Sequence, residues 1–92
     1  MEKHFDLAVD MLSTLIATPA QHVVHVPRSK LQVEGEQLTN GWSVGDLTRA
    51  ARAVTTKFRR GGQYSYAVSY SPGKEEFVGL SERARDVLLR RL

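Results

Sequence analysis

Between Leu47 and Lys74 the chain carries six Lys or Arg and no acidic residue. They are Arg49, Arg52, Lys57, Arg59, Arg60 and Lys74, and Thr48, Thr55 and Thr56 are interleaved with them. Guanidinium and ammonium groups at this density, with hydroxyls between, suit contacts to phosphate oxygens. The plainer alternative is a solvated helix face, since Arg is a good helix former and keeps small proteins in solution. Tyr64, Tyr66 and Tyr70 lie within the same stretch. Their rings either stack on bases or anchor a protein partner, or else cover a core while the hydroxyls reach water.

Other residue types offer less. His22 and His25 are three apart on a short β-branched run, so they point to opposite faces, and no cysteine or carboxylate cluster completes a set with them or His4. No metal site is expected. Glu75 and Glu76 are adjacent on a strand and face opposite ways, with no nearby base. Gly61-Gly62 follows a helix and reads as its stop, not as a phosphate loop. With no nucleophile–base pair, metal set or cofactor motif, the sequence does not read as an enzyme.

The basic residues need a helix to hold them. Ser43 and Asp46, three apart, fit a capping box. Trp42 and Leu47 flank the cap at the spacing of a hydrophobic staple. Leu47, Ala50, Ala51, Val54 and Phe58 form one apolar stripe, so a helix over 43–60 is expected with its basic side outward. An earlier helix over 3–17 buries Phe5, Ala8, Leu12, Leu15 and Ile16, with Val9 and Met11 beside them.

Residues 22–26 read as a strand. Beyond it two readings compete. Leu31-Gln32-Val33 returns to pair Leu31 with Val26 and Val33 with Val24, or Pro27 opens a helix reaching Leu38. A strand followed by something short and irregular is favoured, then a turn at Thr39-Asn40-Gly41. Gln63–Tyr70 alternates and reads as a strand, with the tyrosines and Val68 on one face. Ser71-Pro72-Gly73-Lys74 suits a type II turn returning into 75–80, with Val68 opposite Phe77 and Ala67 opposite Val78. Ser81 would cap a last helix over 82–92.

Ninety-two residues make one small domain. No apolar run is long enough for a membrane span, and the start Met1-Glu2-Lys3-His4 is polar. With no cysteine, a cytoplasmic location is the expectation. Charge is unevenly spread. Residues 1–41 hold three basic and five acidic side chains, and residues 42–92 hold ten and five. A polyanion facing the second half is the natural reading.

The order helix, short strand or hairpin, basic helix, β-hairpin and closing helix resembles winged-helix DNA-binding domains. The tail Phe77-Val78-Gly79-Leu80-Ser81-Glu82-Arg83-Ala84-Arg85 looks like the second wing strand running into the last helix of bacterial winged-helix regulators. Ser81 stands where that pattern has Thr, and Ala84 where it has Gly. The resemblance covers about residues 42–90. It implies an α+β, winged-helix-like fold and a transcriptional regulator or a plasmid or phage accessory factor. Helix 43–60 would enter the major groove of double-stranded DNA, with Thr48, Arg49 and Arg52 nearest the bases. Lys57, Arg59 and Arg60 would hold phosphates, and Lys74 would mark the wing tip. Thr55 and Thr56 complete that surface. A homodimer through helix 1 and the C-terminal helix is expected, and no cofactor. The competing expectation is a protein-binding module, an inhibitor or adaptor from a mobile element. It would use the basic helix and Tyr64, Tyr66 and Tyr70 against an acidic partner.

Overall fold

The computed structural model describes residues 2–17, 22–61 and 66–81. Helix α1 spans Glu2–Ile16 and strand β1 Val23–Pro27. A single 3-10 turn, Arg28–Lys30, leads into β2 (Gln32–Val33) and β3 (Glu36–Gln37). Helix α2 spans Val44–Gly61, followed by β4 (Tyr66–Ser71) and β5 (Glu76–Ser81). The result is α+β. The closing helix expected over 82–92, Tyr64 and Gly62 lie outside the described residues.

Three antiparallel strands in the order β1-β5-β4 form the main sheet. One face is apolar: Val24 and Val26 from β1, Phe77 and Gly79 from β5, Tyr66 and Val68 from β4. Both helices cover this face. Ala8, Leu12 and Ile16 of α1 and Leu47, Ala50, Ala51 and Val54 of α2 meet it in one core. Phe5, Leu15 and Phe58, expected inside, are partly buried against that core.

The start of α2 forms as its residues dictate. The Ser43 N–H donates to Asp46 Oδ2 and the Asp46 N–H donates to Ser43 Oγ, each at 3.1 Å, so the capping box is closed both ways. Trp42 and Leu47, the staple pair, are both buried.

The segment after β1 departs from both readings offered above. Leu31–Val33 does not return along β1, and no helix runs to Leu38. Instead β1 pairs with β5, Val24 opposite Gly79 and Val26 opposite Phe77. β2 and β3 form their own small hairpin, Val33 opposite Glu36. Its turn has positive φ at both Glu34 (52°) and Gly35 (79°), as a two-residue hairpin of the I′ kind requires. Buried Leu31 and Leu38 close its base, the Leu38 N–H bonding the Leu31 carbonyl at 2.9 Å. Arg28 fixes it to the body: Nε donates to Thr39 Oγ1 at 2.9 Å and Nη2 to the Thr39 carbonyl at 2.7 Å. Thr39 is buried, so this pairing satisfies an oxygen that would otherwise be stranded.

The β4–β5 register also differs. Tyr70 lies opposite Phe77 and Val68 opposite Gly79, a shift of two residues from the expected pairing. A type II turn would put Gly73 at positive φ, but the left-handed residue is Glu75, at φ 50°. A two-residue loop built on a type I or II turn splays right-twisted strands. The chain relieves this by spending four residues, Pro72–Glu75, between the paired Ser71 and Glu76. An even shift keeps every side chain on its face, so Tyr66, Val68 and Tyr70 still share one face despite the changed register.

Candidate functional site

The exposed face of α2 carries the densest basic surface among the described residues. Its members differ in what holds them. Arg49 donates to Asp46 Oδ1 at 3.2 Å, and its guanidinium lies 5.2 Å from the Phe5 ring centre. Phe5 in turn stacks on Trp42 at 5.8 Å. Arg49 therefore closes a column over the helix start, a cation on an aromatic face. Lys57 Nζ donates to Asp10 Oδ1 at 2.7 Å and ties α2 to α1. Thr48 is half-buried.

Thr55 was expected on the outward side, but it faces the sheet. Its Oγ1 accepts from the Val68 N–H at 2.9 Å and donates to the Ala51 carbonyl at 3.1 Å. That N–H points out of the free side of β4, so the helix hydroxyl seals the sheet edge. Thr55→Val keeps the shape and removes the acceptor. The stranded N–H should cost about 1–2 kcal/mol. In chemical denaturation the midpoint should fall with an unchanged slope, while Thr56→Val, at an exposed position, should stay within about 0.5 kcal/mol of wild type.

What remains is a strip. Arg52, Thr56, Arg59 and Arg60 are all exposed and fall at i, i+4, i+7 and i+8 on one side of the helix. Among the described residues the side chains of Arg52, Arg59 and Arg60 have no ion-pair or hydrogen-bond partner. Lys74 is exposed at the tip of the β4–β5 hairpin. It lines an open cleft of about 500 Å³ with Arg28, Thr39, Asn40 and Glu75, at the chain that leads into α2. The Arg28 guanidinium in that cleft is already committed to Thr39 and lies 3.6 Å from Glu75, so the cleft offers little for a ligand.

The tyrosines are not a free surface. Tyr66 is buried at 5% exposure, its ring 5.6 Å from that of Phe58. Tyr70 is half-buried, with its ring 5.0 Å from that of Phe77. The expectation that Tyr66 and Tyr70 present rings to a partner is corrected: in the alternating strand they fall on the face that both helices cover. Tyr64 lies outside the described residues. No group of three metal-ligating side chains occurs among the described residues, and no helix there is long and apolar enough to cross a membrane.

Sequence reasoning missed the roles of Thr55 and Thr39. Helical spacing carried a signal that was passed over: Thr55 lies four residues after Ala51 and three before Phe58, beside the apolar stripe, whereas Thr56 falls with Arg52 and Arg60. Arg28, passed over as a turn residue, is likewise committed only once Thr39 and Glu75 are brought to it. No known protein family, curated protein or solved structure matches this chain.

Proposed function

We propose that this protein binds double-stranded DNA through the exposed strip of α2, in the manner of a small winged-helix-like regulator or accessory factor. The single observation carrying this is the set of three exposed arginines, Arg52, Arg59 and Arg60, unpaired among the described residues and aligned on one side of a helix with no acidic residue along it after Asp46. Eight residues of helix put Arg52 and Arg60 about 12 Å apart along the axis. That is about the width of the major groove, so the pair can reach phosphates on both walls with Thr56 between them. The basic contact moves toward the C-terminal half of the helix, because Arg49 is engaged with Asp46 and Phe5 at its start and Thr48 is half-buried. Lys74 extends the surface from the hairpin tip. In place of the helix that a helix-turn-helix needs before its recognition helix, the chain supplies β2, β3 and a turn. The DNA reading therefore rests on the strip and not on that motif. A tyrosine-based protein-docking face is disfavoured by the burial of Tyr66 and Tyr70.

Fluorescence anisotropy against a random-sequence duplex tests this. Four contacts should give a log–log salt slope of roughly −4. Arg52→Glu/Arg59→Glu should weaken binding by about 100-fold or more, because two attractive contacts become repulsive. Absence of binding even at low salt would overturn the proposal and direct the search to an acidic protein.

A further inference from the structure

Helix α1 brings an acidic side chain to the border of the basic strip. Its buried face joins that of α2 in the core, Ala8 and Leu12 with Ala50, Ala51 and Val54. Asp10 directly follows buried Val9 and lies two residues before Leu12, so its backbone is held in place. From there its Oδ1 accepts a hydrogen bond from Lys57 Nζ at 2.7 Å. Lys57 lies three residues before Arg60, next to it on the helix surface, and borders the strip on the side that α1 occupies.

Both partners remain largely in water, with the Lys57 side chain 52% exposed and that of Asp10 69% exposed. An ion pair this exposed adds little to stability. Nor does the carboxylate cap a helix, because its side-chain bond among the described residues is the one to Lys57. Asp46 differs, since it closes the cap of α2 as well as holding Arg49. What the Asp10–Lys57 pair does change is the charge that α2 offers a ligand. A carboxylate oxygen on an ammonium group stands where a phosphate oxygen would stand.

We infer that Asp10 restrains DNA binding by holding Lys57 in place of a phosphate, so that α1 sets the affinity of the α2 surface. This rests on the DNA reading above and deepens it by naming an autoinhibitory contact at the same site. The pair is neutral as a unit and leaves the strip to Arg52, Arg59 and Arg60. When a duplex arrives, α1 stays packed on the core, so the carboxylate stays at the margin of the strip. Lys57 reaches a phosphate only by leaving that carboxylate uncompensated beside a polyanion. Gain and cost offset, and Lys57 adds little to binding in the wild type.

Anisotropy titrations with a random-sequence duplex at several salt concentrations test this. Asp10→Asn keeps the shape and removes the charge. At physiological salt it should tighten binding about fivefold, and the log–log salt slope should steepen by about one, the signature of one added phosphate contact. With Lys57→Met added, slope and affinity should return to within about twofold of wild type. Asp6→Asn is the control. Asp6 is exposed one turn earlier on α1 and makes no ion pair among the described residues, so its loss should leave the slope unchanged. Circular dichroism checks that each variant is folded, and Asp10→Ala, which a helix accepts readily, repeats the test with a second side chain. The inference is overturned if wild type binds and both Asp10 variants match it. It is equally overturned if Asp6→Asn does as much, or if the steeper slope persists without Lys57. Those results leave the DNA reading standing. If neither wild type nor Asp10→Asn binds duplex even at low salt, the DNA reading falls and this inference falls with it.

Discussion

Phe77→Ala should destabilise the protein by about 3–5 kcal/mol. Phe77 is fully buried on β5, the central strand, opposite Val26 on one side and Tyr70 on the other. Its ring meets Tyr70 at 5.0 Å and an interplanar angle of 60°, a tilted aromatic pair. Truncation removes the ring from the centre of the layer between helices and sheet. Neighbours on β1 and β4 are held by ladder bonds and cannot close the space. A domain of this size has on the order of 5–10 kcal/mol in total, so about a third or more of its stability would go. Urea denaturation at equilibrium measures this; a loss below about 1 kcal/mol would mean that the core is not organised around β5. Phe77→Leu, which leaves a smaller void, should cost distinctly less.

Gly79→Ala is the second large effect, and it comes from adding atoms. Gly79 is on the buried face of β5, between Val24 and Val68. A Cβ there would lie 2.7 Å from Ile16 Cγ2, closer than side chains tolerate. Ile16 is fully buried in the last turn of α1, where a β-branched side chain has one strongly preferred rotamer, so it cannot swing aside. Either the helix lifts from the sheet or the strand shifts, at a cost of roughly 3 kcal/mol, the upper end for overpacking. The cause can be isolated with Ile16→Ala. Alone it should cost about 2–5 kcal/mol, but combined with Gly79→Ala the total should fall short of the sum by about 1 kcal/mol or more. Strict additivity in that cycle would show that helix and strand do not touch here. Glycine at 79 is thus a packing requirement, since its φ is not in the left-handed region.

By itself the sequence determined what depends on neighbours three or four residues away. The Ser43–Asp46 cap, the stripe Leu47, Ala50, Ala51 and Val54, the buried side of α1 and the alternation through Tyr66, Val68 and Tyr70 are local patterns. They appear in the structure because each element buries its only apolar face. Charge density along 47–74 was equally readable. Tertiary structure decided which groups are paired. Val24 and Val26 could join either Leu31–Val33 or a distant strand with the same alternation, and pattern alone does not choose between them. β5 won because pairing with it places β1 in a three-stranded sheet under both helices. The same holds for the site. Thr55 and Thr56 are neighbours of identical chemistry; Thr55 borders the apolar stripe, and the approach of β4 gives its hydroxyl a partner. Arg49 and Lys57 look like Arg52 and Arg59 in the chain, yet Asp46 and Asp10 engage the first pair and leave the second to solvent. Periodicity is set by the helix, but partners are set by contacts between residues far apart in sequence.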